Sequence, residues 1–184
     1  MRIVGGTARG RVLASPQDAE TIRPTADRVR QAVFNVLGQT CDGLHVLDLF
    51  CGTGALAFEA LSRGAMNAVL VDSGKEALQL ARLNAKSLRF EAQVEIQALP
   101  VERALERLKG RGFELVFSDP PYKQKAALWV LSKLETVMSE GGVAVIEHGK
   151  SEEVPNAVGR MRREDARSFG ETVVSIFRLT GSVP

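Results

Sequence analysis

The sequence predicts a doubly wound α/β domain built on a mostly parallel sheet. From residue 44 onward, short apolar runs alternate with longer amphipathic stretches, and strands that alternate with helices form parallel sheets covered on both faces. The 184 residues are 45% hydrophobic and 25% charged, which is typical of a folded globular core. We therefore expect a single domain over residues 1–184, because this length leaves no room for a second module.

The predicted elements follow one another in a regular order. Strands are expected at residues 45–50, 68–72, 93–97, 113–118 and 143–147. Helices are expected at residues 55–63, 74–88, 101–109 and 126–138. Ser73 and Glu76 have the spacing of a capping box at the start of the second of these helices. The apolar positions of that helix lie mostly on one face, which predicts packing against the sheet.

The two ends of the chain depart from this rhythm. Residues 1–14 predict a small hairpin, and residues 25–37 have the apolar spacing of a helix with Thr25 as its N-cap. Near the other end, residues 160–167 and 172–179 predict an antiparallel hairpin at the sheet edge. We interpret residues 1–40 as an extension of the same domain.

Basic residues are concentrated at both ends of the chain. Residues 1–40 carry six arginines against three acidic residues, and residues 160–184 carry five against three, although the whole chain has a net charge of only +2. Arginine forms bidentate bonds with phosphate and stacks on bases, so this distribution favours a polyanionic partner. Ordinary scatter of surface charge is the alternative explanation.

Composition also excludes several classes of protein. No apolar run is long enough for a signal core or a membrane span, so we expect a cytoplasmic protein that does not bind a membrane. Cys41 and Cys51 are the two cysteines, and their spacing fits neither a disulfide framework nor a zinc site. We therefore expect no metal.

A glycine-rich turn follows the first predicted strand, where open α/β sheets bind nucleotides. Asp72 ends the second predicted strand, where its carboxylate could accept hydrogen bonds from ribose hydroxyls. Position 57, which a dinucleotide fingerprint fills with a third glycine, is Ala57, so NAD fits less well than S-adenosylmethionine, which has no pyrophosphate. A tight turn without a ligand remains the alternative. The candidate cofactor-binding residues are Asp48, Phe50, Cys51, Gly52, Thr53, Gly54 and Asp72.

A second motif, Asp119-Pro120-Pro121-Tyr122, follows the fourth predicted strand and so reaches the same edge of the sheet. The prolines stiffen the loop and favour an extended Asp119. The Asp119 carboxylate and the Pro120 carbonyl could then each accept one hydrogen of an exocyclic amine and orient it for methylation. Tyr122 could stack on an unpaired base. These four residues are the candidate catalytic residues.

Taken together, these motifs resemble those of the amino-methyltransferases that use S-adenosylmethionine. The ends of the chain are similar to the bacterial 16S rRNA guanine-N2 methyltransferases of the RsmD type, and the most specific segment is the Arg-Pro-Thr-Ala-Asp-Arg-Val-Arg sequence at residues 23–30. The resemblance implies a Rossmann-like class I methyltransferase fold and methylation of N2 of guanine 966. It also implies RNA contacts from the extension, for which the candidates are Arg9, Arg11, Arg23, Arg28 and Arg30.

Two other functions are compatible with the motifs. Asp-Pro-Pro-Tyr would present the same acceptors to the N6 amine of adenine in RNA or DNA, although a DNA enzyme would need a target-recognition domain. A non-catalytic RNA-binding assembly factor is the second alternative, and intact motifs disfavour it. The expected partner is 16S rRNA, within a 30S subunit or an assembly intermediate, and we expect a monomer.

Overall fold

The chain folds around one eight-stranded sheet, which the computed structural model describes for residues 1–16, 24–121 and 126–181. The strands are β1 (His45–Leu49), β2 (Asn67–Asp72), β3 (Val94–Ala98), β4 (Phe113–Ser118), β5 (Met138–Gly149), β6 (Ala157–Val158), β7 (Met161–Phe169) and β8 (Thr172–Leu179). The helices are α1 (Pro24–Val36), α2 (Ala55–Ser62), α3 (Lys75–Leu88), α4 (Val101–Arg107) and α5 (Ala126–Leu134), with a 3-10 turn at Glu91–Gln93.

The sheet order is β3-β2-β1-β4-β5-β8-β7-β6. Strands β1 to β5 are parallel to one another, whereas β8 pairs antiparallel with β5, β7 with β8 and β6 with β7. This confirms the predicted doubly wound α/β architecture with an antiparallel edge hairpin. The strand order reverses at β1 and β4, so a crevice opens beyond the carboxyl ends of these strands.

Helices cover both faces of the sheet. One apolar cluster joins α1, α2 and α3 to the first face, with Phe34 and Phe58 fully buried. The other joins α4 and α5 to the second face, with Leu105 and Leu131 buried. The central strands are apolar on both sides for this reason, since each parallel strand is buried between two helical layers.

Three local predictions need correction. The predicted capping box is wrong, because Gly74 is the N-cap of α3 and makes no side-chain cap bond. Thr25 is not an N-cap, because α1 begins at Pro24, and proline is well suited to a first helical position. The fifth predicted helix ends at Leu134 rather than 138, and β5 then begins at Met138.

The first residues of the chain form a small hairpin closed by an antiparallel bridge between Arg2 and Val12. It packs against α2, where the Ser62 hydroxyl donates to the Gly5 carbonyl at 2.6 Å and accepts from the Ala8 N–H at 2.9 Å. Ile3 and Leu13 are buried in the same cluster as α1. The extension is thus part of the folded core.

Among the described residues, no helix is both long and apolar enough to cross a membrane.

Candidate active site

The turn between β1 and α2 exposes its backbone to a cleft. Phe50, Gly52 and Gly54 have positive φ angles of 58°, 53° and 79°. A Cβ added at Gly54 would lie 2.5 Å from the Phe58 ring and 2.7 Å from a Leu70 methyl, whereas one added at Gly52 would meet nothing within 4 Å. Gly54 is therefore required by packing, and Gly52 leaves open space in which a ligand can approach the main chain.

Two carboxylates hold this turn in shape. Asp72 accepts hydrogen bonds from the Gly52 N–H at 2.9 Å and the Gly74 N–H at 2.8 Å, one on each oxygen. Asp48 accepts one from the Ala57 N–H at 3.1 Å. Since each carboxylate oxygen has two lone pairs, Asp72 keeps acceptor capacity for a ribose hydroxyl.

Asp48 is only 3% exposed, and its environment is unusual for a carboxyl group. Burial raises the pKa of Asp48 to about 7, against the lowering effect of the Ala57 hydrogen bond, and the charges of Asp119 and Asp72 raise it further. Burial also raises the pKa of the Cys51 thiol far above its ordinary value. Cys51 is therefore a packing residue and not a nucleophile.

Asn84 is a site residue that the sequence analysis missed. It lies on the buried face of α3 and is 1% exposed. Its amide nitrogen donates to the Thr53 carbonyl at 3.0 Å and to the Ala14 carbonyl at 3.2 Å, and its oxygen accepts from the Ala14 N–H at 2.7 Å. Asn84 therefore ties the glycine turn to the extension. A polar residue on an otherwise apolar helical face was the available signal.

Asp119, Pro120 and Pro121 follow β4 and reach the same cleft. Asp119 is exposed to solvent, and it also lines the cleft. Desolvation there raises the pKa of Asp119 to about 7, and the charge of Glu147 adds to the effect. Tyr122, the fourth predicted catalytic residue, lies outside the described residues.

The cleft has a volume of about 550 Å³ and brings the two predicted motifs together. The glycine turn forms one wall, and Asp119 to Pro121 form part of the next. The remaining walls come mainly from α1, β5, β7 and β8, and of these elements only α1 was assigned site residues from the sequence. Their side chains include Val33, Val145, Glu147, Phe169, Thr172 and Val174. Glu147 directly precedes the last two residues of a parallel strand, which is a position that faces such clefts.

The candidate RNA-binding arginines divide into two groups. Arg9, Arg11 and Arg28 are exposed, and the Arg11 guanidinium donates to the Ser87 carbonyl. Arg30 is instead 4% exposed and lines the cleft, so it does not belong to the outer surface where an RNA contact was expected. Arg23 lies outside the described residues.

Arg30 is held by a buried cluster of charges. Its Nε lies 3.4 Å from Oε2 of Glu59, and its guanidinium also donates to the Arg2 carbonyl. Glu59, which is fully buried, accepts a hydrogen bond from the Val4 N–H at 2.8 Å and pairs with Arg63 at 2.8 Å. The cluster joins the N-terminal hairpin, α1 and α2, because each of the three contributes a charged side chain or a backbone group to it.

No group of three or more His, Cys, Asp or Glu side chains suited to a metal ion occurs in residues 1–16, 24–121 and 126–181. The polar side chains that line the cleft are the carboxylates of Asp48, Asp119 and Glu147, the hydroxyls of Thr53, Ser118 and Thr172, and the Arg30 guanidinium. This arrangement can bind donors such as ribose hydroxyls on one side and an amine on the other.

The chain is similar to known proteins in sequence and in structure. The model described as "Conserved hypothetical protein 95" matches residues 1–178. The chain is 36% identical over 186 residues to "Putative rRNA methyltransferase YlbH" of Bacillus subtilis, covering 98% of this chain and 100% of that protein. It is 36% identical over 124 residues to "Ribosomal RNA small subunit methyltransferase D" of Escherichia coli, covering 67% of this chain and 61% of that protein.

A solved structure extends this similarity over almost the full length. The structure called "Putative methyltransferase yhhF from Escherichia coli" superposes with a TM-score of 0.84 at 27% identity, covering 99% of each chain.

Proposed function

The chain belongs to the conserved hypothetical protein 95 family, and from this premise we propose that it methylates the N2 amine of a guanine in small-subunit ribosomal RNA. The single observation that carries the proposal is the meeting of the glycine turn and Asp119-Pro120 in one cleft of about 550 Å³. A methyl donor and an amine acceptor need such adjacency, because transfer requires the reacting atoms to be held within about 3–3.5 Å.

The fold is that of the class I methyltransferases, and the methyl donor is S-adenosylmethionine. When bound, it supplies an electrophilic methyl group on a sulfonium. Gly52 fits this role because its Cα faces open space, and Asp72 fits it because its ordered carboxylate retains lone pairs for ribose hydroxyls. We propose that Asp48, Phe50, Cys51, Thr53 and Gly54 complete the cofactor site.

The chemistry of the base side is orientation of an amine. The N2 amine of guanine donates its lone pair into the ring, so it is a weak nucleophile until both hydrogens are held. The Asp119 carboxylate accepts one hydrogen and the Pro120 carbonyl accepts the other, while Pro121 stiffens the loop. Asp119 performs this role when ionised, and its raised pKa also allows it to receive the proton that leaves the amine. Tyr122 stacks on the base.

The RNA surface includes the exposed arginines of the extension. Arg9, Arg11 and Arg28 contact phosphates, as Arg23 does in this proposal, and Arg30 supports them by fixing α1 over the cleft. The similarity to "Ribosomal RNA small subunit methyltransferase D" supports ribosomal RNA of the small subunit as the substrate, and we propose guanine 966 of 16S rRNA as the target. The chain acts as a monomer in the cytoplasm, on a 30S subunit or an assembly intermediate.

The test is methyl transfer from labelled S-adenosylmethionine to small subunits taken from cells that lack this gene. Nucleoside mass spectrometry identifies the product, and primer extension or fragment mapping locates it. We expect N2-methylguanosine at one position, guanine 966. N6-methyladenosine would instead support the adenine alternative, and absence of transfer to subunits, free rRNA and DNA would support a binding factor.

A variant pair separates the two groups of arginines. Arg28→Ala should weaken binding to small subunits severalfold and reduce its salt dependence, because one phosphate contact is lost, with the melting temperature unchanged. Arg30→Ala should lower the melting temperature, because it removes one partner of the buried Glu59. If both variants changed the binding to small subunits and the melting temperature by the same amounts, the division of the arginines into an exposed and a buried group would be wrong.

A further inference from the structure

A second carboxylate lies beside Asp119 on the base side of the cleft. Strands β4 and β5 are parallel neighbours with Ser118 paired to Ile146, so Asp119 and Glu147 each follow this pair by one residue. Adjacent strands are about 4.8 Å apart. Both residues line the cleft, and Glu147 is half-buried.

Side-chain alternation places the two carboxylates on one face of the sheet. Phe117 and Val145, two residues before Asp119 and Glu147, belong to the same apolar cluster under α1 and α2, and alternate residues of a strand share a face. The glycine turn lies on the other side of Asp119, since β1 and β5 flank β4. With the amine of a base held at Asp119 between the two sides, a ring atom next to the amine faces Glu147. In guanine the two candidate atoms are N1, which carries a hydrogen, and N3, which is an acceptor, so only the orientation with N1 toward Glu147 gives a hydrogen bond.

Guanine and its analogues differ at that edge. In guanine, the N2 amine is next to the N1–H, so two neighbouring groups are donors. In adenine, the amine is next to an unprotonated N1, which is an acceptor, and the same is true of 2-aminopurine. An ionised carboxylate has only acceptor atoms, so it bonds to the guanine edge and repels the other two.

We propose that Glu147 accepts a hydrogen bond from the N1–H of the target guanine, and that this contact selects guanine over purines whose N1 is an acceptor. The inference rests on the proposed function, because it assumes an amine held by Asp119 and Pro120. It adds the residue that determines which purine is accepted.

The surroundings of Glu147 strengthen such selection. Val145 and Val174 are 4% exposed and Phe169 is partly buried, and all three line the cleft beside Glu147. A hydrogen bond is stronger in such a low-dielectric environment, and a mismatched acceptor is more costly. The charges of the two carboxylates already influence each other, since Glu147 raises the pKa of Asp119. Two adjacent donors on guanine can bond to the two carboxylates at the same time.

The test uses Glu147→Gln and small subunits that contain 2-aminopurine in place of the target guanine, introduced by ligation of a synthetic RNA segment before reconstitution. 2-Aminopurine keeps the amine that is methylated but has an acceptor at N1. We expect the wild-type protein to prefer guanine by about 10- to 100-fold in kcat/KM, which is the discrimination of one specific base contact. In Glu147→Gln, the side-chain amide can donate to N1, so the preference should disappear or reverse.

Two further variants make the result specific. Glu147→Asp keeps a carboxylate and should retain the preference for guanine, although at a lower rate. Glu153→Gln makes the same chemical change at an exposed residue outside the cleft and should leave both rates unchanged. Cofactor affinity by calorimetry and the melting temperature are measured for each variant.

The outcomes distinguish this inference from the proposed function. A wild-type protein that methylates guanine and 2-aminopurine equally well overturns the role of Glu147 without any variant. So does a folded Glu147→Gln protein that keeps the wild-type preference, and in both cases the proposed function stands. A wild-type protein that forms no N2-methylguanosine overturns both.

Discussion

The two sides of the cleft differ in how completely the chain itself satisfies their polar groups. On the cofactor side, Asp48 lines the cleft, whereas Asp72 and Asn84 bond to the glycine turn without lining the cleft themselves. All three accept hydrogen bonds from backbone N–H groups, and Asn84 also donates to the glycine turn. On the base side, no residue in the described part of the chain donates a hydrogen bond to the Asp119 carboxylate, which is exposed to solvent. The first side is ordered before any ligand binds.

This difference indicates which side of the cleft determines cofactor affinity and which side determines turnover. A preorganised turn binds a cofactor without further ordering, so its residues should determine affinity. An acceptor whose donors come from the substrate acts on the reacting amine, so it should determine turnover. Substitutions on the two sides should therefore separate Kd from kcat.

Asp119→Ala should have the largest effect. It removes the side-chain acceptor of one amine hydrogen, so we expect kcat to fall at least about 10³-fold, while cofactor affinity stays within a few-fold. Orientation effects of this size are typical of lost positioning groups. Single-turnover methylation and calorimetry measure the two quantities. Glu102→Ala, which removes a carboxylate from the exposed surface of α4, is the control. A variant with most of its turnover would remove Asp119 from the mechanism.

Asp72→Ala should produce the opposite pattern. It removes hydrogen bonds to Gly52 and Gly74, and hydrogen bonds to charged groups contribute about 1.5–3 kcal/mol each. We expect the Kd of S-adenosylmethionine to rise about 10- to 100-fold, with kcat at saturating cofactor changed little. Asp42→Ala, at an exposed aspartate outside the cleft, controls for loss of charge. An unchanged Kd of S-adenosylmethionine by calorimetry would contradict the assignment of Asp72 to the cofactor side.

Much of the fold and of the two motifs could be predicted from local patterns. The bounds of β1 to β4 agree with prediction to within one residue, because alternating apolar runs and helical periodicity are local properties. The segment from residue 126 to residue 149 was predicted less well. Strand β5 begins five residues earlier than expected, and its pairing with β4 shifts register between Phe113 and Leu115 of β4. Such an irregularity depends on the neighbouring strand.

Site residues that act through distant contacts could not be assigned from the sequence. Asn84 bonds to Ala14, which is 70 residues away in the chain, and Glu59 bonds to Val4 across 55 residues. Arg28 and Arg30 are two positions apart on α1 and therefore do not share one helical face, but only the packing of α1 shows that Arg30 is the buried one. Glu147 was missed because its relevance depends on its neighbour Asp119.

The pH dependence of methylation should report on the base side. Desolvation and then the charge of Glu147 raise the pKa of Asp119 to about 7, and only the ionised form accepts the amine hydrogen. We expect kcat/KM to rise about tenfold per pH unit below 7 and to level off above it. In Glu147→Gln, the midpoint should move to lower pH, because a like charge is removed. A flat profile between pH 5.5 and 8 would exclude Asp119 as the group that must ionise.

Asp48→Asn should give the smallest effect, a gain in stability on the cofactor side. Burial raises the pKa of Asp48 from 3.8 to about 7, so between these values the unfolded chain has lost a proton that the folded chain retains. Stability of the wild-type protein therefore falls as the pH rises through this window. The variant has no ionisable group at this position, so its stability does not fall for this reason as the pH rises. Its amide oxygen can still accept a hydrogen bond from the Ala57 N–H.

The expected difference in melting temperature between Asp48→Asn and the wild-type protein is near zero at pH 4 and a few degrees at pH 8, since about 1 kcal/mol corresponds to about 2–4 °C in a chain of this size. Asp119→Asn should show a smaller difference, because Asp119 is exposed and solvent reduces the cost of its charge. A lower melting temperature for Asp48→Asn at pH 8 would mean that the added N–H₂ group finds no acceptor. In that case the buried carboxylate stabilises the turn, and its ionisation does not lower the stability of the folded protein as we infer.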